Sequence, residues 1–536
     1  MTFDMNRRGF IAASTVLAAA IALPIASWAE ETPRRGGTLT VHAPNEQRVL
    51  NPSIRASVDV YQIGGKIVEP LVDLDAQGKP VPVLASAWES TPDGKTITFK
   101  LREGVSWHDG KPFTSADVQF TAMEIWKKYL NYGSTLQLYL DAVETPDAHT
   151  AVFKYSRPMP LDLLLRALPD LGYVSPRHVY EGTNILDNPA NTAPIGTGPF
   201  RFARYERGQF VIAERNPNYW RAGLPYLDRI VWRILPDKAT AAAALESGEI
   251  QMSNYTGLAL SDIDRLKGDP RFTVSTKGNE GNAVQNTVEF NLRRKELGDV
   301  RVRRAIVHAL DTDFFVSNML YGFGKRGRGP IPASSDFFLT GAPDYAYDVA
   351  RANALLDEAG YKKGRDGKRF SLRLLAAPWG EDVSSFATFI QQSLLEVGIG
   401  VEVVQRDAAG FLSDVYKEWN FDLATGRHQY RSDPAVSTTV WYRSGAPKGA
   451  PWTNQWGWQS DAMDKAIDAA AVELDADKRK QLYREFVQIA NTEVPVWMAT
   501  DREFISVTSK RLQNDHNTPR WPSSSWADLW LTDAKK

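Results

Sequence analysis

The sequence predicts a mixed α/β (α+β) protein that is divided into two lobes. In the first half, residues 96–101 alternate apolar and polar side chains, and turn signals at 75–78 and 91–95 flank short strands. This pattern is typical of an antiparallel meander. In the second half, a strand at 371–376, a helix at 384–397 and a strand at 399–404 follow each other, which implies parallel pairing. A meander-rich half followed by an α/β half favours two lobes.

The remaining elements are predicted from hydrophobic periodicity and end signals. Thr114 is expected to cap a helix, with Asp117 at the third position of a capping box. Gly248 and Gly360 are expected to end two other helices. The predicted strands cover residues 38–43, 150–155, 199–205, 209–214, 229–235 and 284–292. The predicted helices cover residues 58–72, 237–247, 299–320, 350–359, 460–472 and 475–491.

Composition excludes several classes of function. The chain has 536 residues, 63 Lys and Arg against 64 Asp and Glu, no Cys and 16 Trp. A net charge of −1 gives no reason to expect a nucleic-acid partner. The absence of Cys from the sequence excludes disulfides, thiolate metal sites, a Cys nucleophile and a lipid-anchored Cys. The chemistry of the protein must therefore rest on oxygen, nitrogen and aromatic groups.

The first 29 residues are predicted to be an export signal. Arg7 and Arg8 precede an apolar run over residues 11–25, and Ala29 ends a small-residue cleavage site. The run is shorter than the ~20 residues that a membrane span needs. The Arg pair resembles a twin-arginine signal, with an ordinary Sec signal as the alternative. Either signal predicts a soluble periplasmic protein without a lipid anchor.

Motifs for catalysis or metal binding are weak in this sequence. His108 and Asp109 are adjacent, and neighbours in a strand or turn point apart, so a catalytic pair is not expected. The Gly-rich segment 322–327 follows a helical stretch and precedes Pro330, so it lacks the context of a dinucleotide site. No two His residues stand four apart, and no nucleophilic Ser motif occurs in the sequence. We therefore expect no enzyme activity, no metal site and no cofactor.

Four segments in order carry a resemblance to a known family. They are residues 85–89 with 93–113, which contain Trp107-His108-Asp109-Gly110, residues 196–220 with Gly196-Thr197-Gly198-Pro199-Phe200, residues 291–311, and residues 347–361. Together they resemble the bacterial extracellular solute-binding proteins of family 5, the periplasmic receptors of peptide, nickel and related ABC importers. The resemblance extends over residues 36–512.

This resemblance implies a two-lobed periplasmic-binding-protein type II fold, with the ligand in a cleft between the lobes. Lobe 1 is expected to contain residues 30–282 and 500–536, and lobe 2 residues 283–499. Residues of about 56–190 are expected to form an additional subdomain of lobe 1. The chain is expected to cross between the lobes near 280–286 and 496–504. The implied partners are a small-molecule solute and the permease subunits of an ABC transporter, and the receptor is expected to be a monomer.

One departure from the family pattern bears on the ligand. Peptide-binding relatives carry an Asp four residues before the Pro of an Asp-Pro pair, and this Asp holds the free α-amino group of the peptide. Here that position is Tyr430, before Asp433 and Pro434. A neutral phenol cannot supply the counter-charge that a buried cation needs. We therefore expect that the protein does not bind simple dipeptides by a free N-terminus, and that Asp433 caps the following helix.

Other residues are candidates for reading the ligand. Arg427, His428 and Arg431 could meet a carboxylate or another anion. Aromatic rings in loops could stack on a sugar or a planar group, and strand ends could present polar groups to the cleft. These candidates are Trp379, Trp456, Asn45, Glu46 and Asn291.

Several ligand classes and two other functions remain open at this stage. The solute could be an anionic amino-acid derivative, a modified peptide, an oligosaccharide or a metal chelate. The competing functions are a secreted hydrolase and a chaperone for unfolded chains.

Overall fold

The computed structural model of the chain describes residues 32–280 and 282–532. The predicted signal residues Arg7, Arg8 and Ala29 lie outside this part of the chain. Within the described ranges, no helix has both the length and the apolar character needed to cross a membrane.

Two large sheets organise the fold. We call lobe 1 the seven-stranded sheet with the elements that pack on it, and lobe 2 the eight-stranded sheet with its cover. The seven-stranded sheet has the order Phe272–Ser275, Ser506–Ser509, Met252–Ser253, Thr38–Ala43, Arg229–Ile234, Phe210–Arg215 and Phe200–Glu206. The eight-stranded sheet runs through Lys325–Arg326, Thr500–Glu503, Ala283–Phe290, Leu423–Thr425, Phe370–Ala376 and Ile399–Gln405, while Arg427–Gln429 and Val496–Met498 also pair with Ala283–Phe290.

A four-stranded antiparallel sheet packs into the same hydrophobic core as the sheet of lobe 1. Its order is Ala85–Ser90, Thr96–Leu101, Thr150–Tyr155 and Leu140–Asp147. Two strand pairs are smaller: Val72–Leu74 with Pro80–Pro82, and Leu512–Gln513 with Trp530–Leu531. The predicted meander is therefore present in the first half.

The helices cover both lobes. The α-helices are Val58–Gly64, Ser115–Phe120, Gly133–Leu136, Leu161–Leu171, Arg177–Tyr180, Lys238–Glu246, Leu260–Leu266, Lys295–Gly298, Val300–His308, Thr312–Phe314, Val349–Glu358, Glu381–Glu396, Ala408–Leu412, Pro434–Ser437, Asp461–Val472 and Ala476–Glu493. In the described part of the chain, π-helical turns span Thr121–Trp126, Phe315–Met319 and Ser413–Lys417. Short 3-10 turns span Ile185–Asp187, Pro189–Asn191, Thr439–Trp441 and Trp521–Ser523.

Two predicted helices are wrong in length. The helix predicted at 58–72 ends at Gly64, where a Cβ atom would lie 1.9 Å from the carbonyl oxygen of Leu50. The close approach of this loop therefore depends on Gly. The helix predicted at 299–320 is interrupted after His308, because Asp311 caps a new turn by accepting a bond from the backbone N–H of Phe314 (2.9 Å).

The predicted strand, helix and strand of lobe 2 are confirmed. Phe370–Ala376 and Ile399–Gln405 pair in parallel, and Glu381–Glu396 connects them. The predicted cap at Thr114 is also confirmed, since the Asp117 carboxylate accepts a bond from the backbone N–H of Thr114 (2.9 Å).

The chain passes from one sheet to the other at two places. Phe272–Ser275 lies in lobe 1 and Ala283–Phe290 in lobe 2, while Thr500–Glu503 lies in lobe 2 and Ser506–Ser509 in lobe 1. The two passages run side by side, since Ala283 pairs with Glu503 and Val284 with Arg502. The two connections between the lobes are therefore adjacent.

Candidate functional site

The segment that sequence reasoning singled out lies between the two lobes. Strand Arg427–Gln429 pairs with Ala283–Phe290, and the backbone N–H of Tyr430 continues this pairing to the carbonyl oxygen of Ala283 (2.9 Å). The chain then turns toward lobe 1, where the Ser432 hydroxyl donates to the backbone carbonyl of Arg166 (2.6 Å). Lobe 2 therefore contacts lobe 1 through this segment.

Arg431 makes a buried ion pair across the interface. Its guanidinium lies 3.4 Å from the Asp170 carboxylate of lobe 1, and only 3% of its side chain is exposed. Its charge also lies 4.8 Å above the Tyr132 ring, a cation–π contact. Asp170 accepts a second bond from Arg520 (2.6 Å), which also pairs with Asp73 (2.9 Å). Burial would raise the pKa of Asp170, but Arg520 and Arg431 together hold it below its usual value.

Tyr430 is buried, and its phenol is hydrogen-bonded to a neighbour. The phenol oxygen lies 2.6 Å from the Ser335 hydroxyl, and 3% of the residue is exposed. Burial raises the pKa of Tyr430 well above its usual value, so the phenol stays neutral at any physiological pH. Position 430 therefore offers no charge to a ligand.

A cavity of about 480 Å³, which we call the larger cavity, opens beside Tyr430. Its volume lies within the range of about 300–1,000 Å³ that is typical of ligand sites. Arg166 and Lys277 of lobe 1 line it together with Asp336 and Ser432 of lobe 2. The ion pair between Arg166 and Asp336 (3.2 Å) bridges its walls. The lining is thus polar and of mixed charge.

Asp433 does not offer a free carboxylate to a ligand. One of its oxygens accepts a bond from the backbone N–H of Ala435 (2.9 Å), which confirms the predicted helix cap. The same carboxylate receives two bonds of 2.7 Å from Arg479, and both side chains are fully buried. Asp433 therefore ties the segment to helix Ala476–Glu493.

His428 and Trp456 lie in an aromatic cluster of lobe 2. The His428 ring nitrogen Nε2 is 3.1 Å from the Thr438 hydroxyl, and the ring lies 5.0 Å from that of Trp441. The Trp441 ring also lies 5.4 Å from the ring of Trp456, which is fully buried. Burial lowers the pKa of His428 to about 3, so this ring carries no positive charge for an anion.

Arg427 points to a second, smaller cavity. Its Nε donates to the Asp382 carboxylate (3.0 Å), and 29% of its side chain is exposed. Arg502 binds the same carboxylate (2.7 Å). These three side chains line a cavity of about 200 Å³, which we call the smaller cavity. Arg427 and Arg431, four positions apart, thus reach different parts of the interface.

The other four sequence candidates lie away from the linings of these two cavities. Trp379 is half-buried against Phe411 (4.9 Å). The Asn291 amide donates to two backbone carbonyls of a lobe 2 loop, at 2.8 and 3.1 Å. Asn45 is exposed, and Glu46 pairs with Arg207 at the surface (3.1 Å).

Sequence reasoning missed the acidic partners of the two arginines. Asp170 and Asp382 are both buried, and each neutralises arginines that are distant in sequence. One signal was present: Asp170 stands in the apolar stretch 161–171, where a charged residue needs a buried partner. Its partner could not be read from the sequence.

A further buried carboxyl group lies on the central strand of lobe 2. Glu289 accepts a bond from the Thr287 hydroxyl (2.8 Å), and its second oxygen has no partner among the described residues. Burial raises the pKa of Glu289 to about 7, and the Thr287 bond opposes this shift only in part.

We expect Glu289→Gln to change the pH dependence of stability. The folded protein holds the Glu289 proton more tightly than the unfolded chain, whose pKa is near 4.5, so stability falls as pH rises from 4.5 through about 7. Because Gln does not titrate, the free energy of unfolding of the variant should rise relative to that of wild type by on the order of 3 kcal/mol between about pH 5 and about pH 8. Urea denaturation at both pH values measures this difference. Glu402→Gln, on an exposed face of the same sheet, should show none, and an equal pH response of both variants would contradict the assignment.

Among the described residues, no group of three or more His, Asp or Glu side chains could hold a metal ion.

The chain is similar in sequence to known proteins. The family model of the bacterial extracellular solute-binding proteins, family 5 Middle, matches residues 79–450. A putative ABC transporter peptide-binding protein of Brucella ovis is 32% identical over 473 residues, which cover 84% of each chain. The glutathione-binding protein GsiB of Pectobacterium atrosepticum is 26% identical and covers 96% of both chains.

The fold also matches solved structures. The crystal structure of NikA from Brucella suis in complex with Fe(III)-EDTA superposes with a TM-score of 0.80 at 23% identity, over 91% of this chain and 99% of that chain. The mixed helix and sheet architecture is thus that of the two-lobed periplasmic binding proteins, as the sequence predicts.

Proposed function

Because the chain belongs to the bacterial extracellular solute-binding proteins of family 5, we propose that it is the exported receptor of an ABC importer. In this function it captures a small solute by closing its two lobes and delivers the solute to the membrane permease. Ligand contacts with both lobes favour the closed state, and opening on the permease releases the solute. No covalent chemistry is part of this function.

The observation that carries the proposal is the larger cavity between the lobes. Its walls come from lobe 1 at Arg166 and Lys277 and from lobe 2 at Tyr430 and Asp336. A solute in this cavity would contact both lobes at once, which is the requirement for coupling binding to closure. The lobes predicted from the sequence, 30–282 with 500–536 and 283–499, would then move about the two passages near 280–286 and 496–504.

The solute that fits this lining best is small and polar or anionic. Tyr430 is neutral and Asp433 is bound to Arg479, so neither supplies a counter-charge for a free α-ammonium group. Arg166 is already paired with Asp162 and Asp336, whereas Lys277 can meet a carboxylate of the solute. The related NikA from Brucella suis is found in complex with Fe(III)-EDTA, a chelate rich in carboxylates. An oligosaccharide has less support, since Trp456 is buried in the aromatic cluster.

The place of action follows from the predicted export signal. With Arg7, Arg8 and a cleavage site ending at Ala29, the chain would be exported and processed to a periplasmic protein without a lipid anchor. We propose that this mature form acts as a monomer and docks on the permease subunits.

The variant Tyr430→Asp tests the hypothesis that the absence of a carboxylate at position 430 prevents the binding of simple dipeptides. Wild type should show no saturable rise in melting temperature with a dipeptide such as Ala-Phe, because no carboxylate is available for the peptide ammonium group. The variant places a carboxylate at this position and should gain saturable binding of the dipeptide. Calorimetric titration measures both affinities.

Tyr430→Asn is the matched control, since it has the size of Asp without the charge and should gain nothing. N-acetylated Ala-Phe should not bind the Asp variant either. The hypothesis that wild type does not bind dipeptides by a free N-terminus is contradicted if wild type binds Ala-Phe and acetylation of the peptide abolishes that binding.

A further inference from the structure

The smaller cavity lies where strands of both lobes end. In lobe 2, the parallel strands Phe370–Ala376 and Leu423–Thr425 run toward Asp382 and Arg427. In lobe 1, Arg229–Ile234 and Met252–Ser253 both run parallel to Thr38–Ala43 and lead to Lys238 and Tyr255. Crevices outside the carboxyl ends of parallel strands are the usual ligand positions in α/β folds. Here the two sets of carboxyl ends face one cavity.

The charges in this cavity do not balance. Arg427 and Arg502 share the single carboxylate of Asp382, at 3.0 and 2.7 Å. Lys238 and Glu381 also line the cavity and offset each other, which leaves one excess positive charge. Both arginine side chains are largely shielded from solvent, since 29% of the Arg427 side chain and 5% of the Arg502 side chain are exposed.

Arg502 has donor capacity to spare. Its Nε is buried and has no hydrogen-bond partner within the described ranges. A buried guanidinium donor without an acceptor costs free energy, which an added acceptor would recover. In addition, the 16-residue helix Glu381–Glu396 begins at this cavity, and its dipole favours negative charge there.

From these observations we propose that the smaller cavity is a binding site for a small oxyanion, a carboxylate or a phosphate, held by Arg427 and Arg502. At about 200 Å³ the cavity has room for such a group and several waters. The oxyanion could be a carboxylate of the transported solute or a free anion. Lys238 and Tyr255 of lobe 1 also line the cavity, so an anion that contacts them as well as Arg427 would favour the closed arrangement. The lining of this cavity shares no residue with that of the larger cavity, and the inference rests on the proposed function only where the oxyanion is a carboxylate of the transported solute.

Titration with acetate and with inorganic phosphate tests the site, with sodium chloride at equal ionic strength as the reference. We expect saturable binding to the purified protein by calorimetry and a matching rise in melting temperature. Arg427→Ala should weaken this binding about tenfold or more, because one charged donor is lost. Arg443→Ala removes the same charge from an ion pair at the surface of lobe 2 and should leave anion binding unchanged.

Asp382→Asn gives a result in the opposite direction. It removes the carboxylate that competes for both arginines, so acetate and phosphate should bind several-fold more tightly. The solute released from natively purified protein distinguishes the two sources of the oxyanion. Acetate should compete with this solute for binding if the oxyanion is a carboxylate of the solute, and acetate should not compete if the oxyanion is a free anion. Two results would overturn the proposal. The first is that neither acetate nor phosphate binds saturably and that Arg427→Ala leaves the affinity for the solute unchanged. The second is that both Arg427→Ala and Asp382→Asn bind the two anions with wild-type affinity.

Discussion

Asp433→Asn is expected to lower the free energy of unfolding by roughly 3–5 kcal/mol, because it leaves a buried guanidinium without its counter-charge. Asp433 and Arg479 are 0% and 1% exposed, and two bonds of 2.7 Å join them. Solvent cannot replace the lost carboxylate at that depth. Urea denaturation monitored by Trp fluorescence measures the loss.

Asp348→Asn is the matched control for this loss. Asp348 also caps a helix, through the backbone N–H of Arg351 (2.8 Å), but it lies at the surface and pairs with no buried cation among the described residues. Its replacement by Asn should cost little, since Asn is also a good cap. Equal losses in the two variants would contradict the role assigned to the buried pair with Arg479.

Arg431→Met is expected to shift the protein from the closed toward the open arrangement by roughly 10–100-fold, since a charged hydrogen bond contributes ~1.5–3 kcal/mol. Arg431 is the lobe 2 member of the buried ion-pair network, and it also reaches the backbone carbonyl of Ala56 in lobe 1 (3.3 Å). Asp170 keeps Arg520 as a partner after the change, so folding of lobe 1 is spared. Small-angle scattering should record a larger radius of gyration, and solute affinity should fall by the same factor.

Arg520→Met separates closure from folding. Arg520 pairs with Asp170 and Asp73, and all three side chains belong to lobe 1. Its loss should therefore lower the unfolding free energy without favouring the open state. If Arg520→Met opened the lobes as much as Arg431→Met, or if Arg431→Met stayed closed with wild-type affinity, the bridge between the lobes would not act as described.

Local structure could be read from this sequence to a large extent. The strand at 38–43 and the strand, helix and strand from 371 to 404 appear where periodicity predicts them, because one face or both faces of each element are buried. Thr114 and Asp433 cap helices as predicted, because capping depends only on neighbours in sequence. Errors occurred where distant contacts intervene, as at Gly64 beneath Leu50.

The site could be located along the chain but not assembled from it. Arg427 and Arg431 were both candidates for an anion, and their partners stand 45 and 261 residues away. Nothing in the local pattern indicates that one arginine bridges the lobes while the other lines the smaller cavity. In the Trp-rich segment 441–458, Trp456 is buried in the aromatic cluster, whereas Trp452 is exposed. Which ring faces a ligand depends on tertiary packing.

Mass spectrometry of the molecule released by denaturation from natively purified protein tests the central claim most directly. We expect one small polar or anionic solute per chain, which rebinds to the refolded protein, raises its melting temperature and is recovered chemically unchanged. Conversion of that molecule into a product at catalytic amounts of protein would contradict the assignment as a solute receptor.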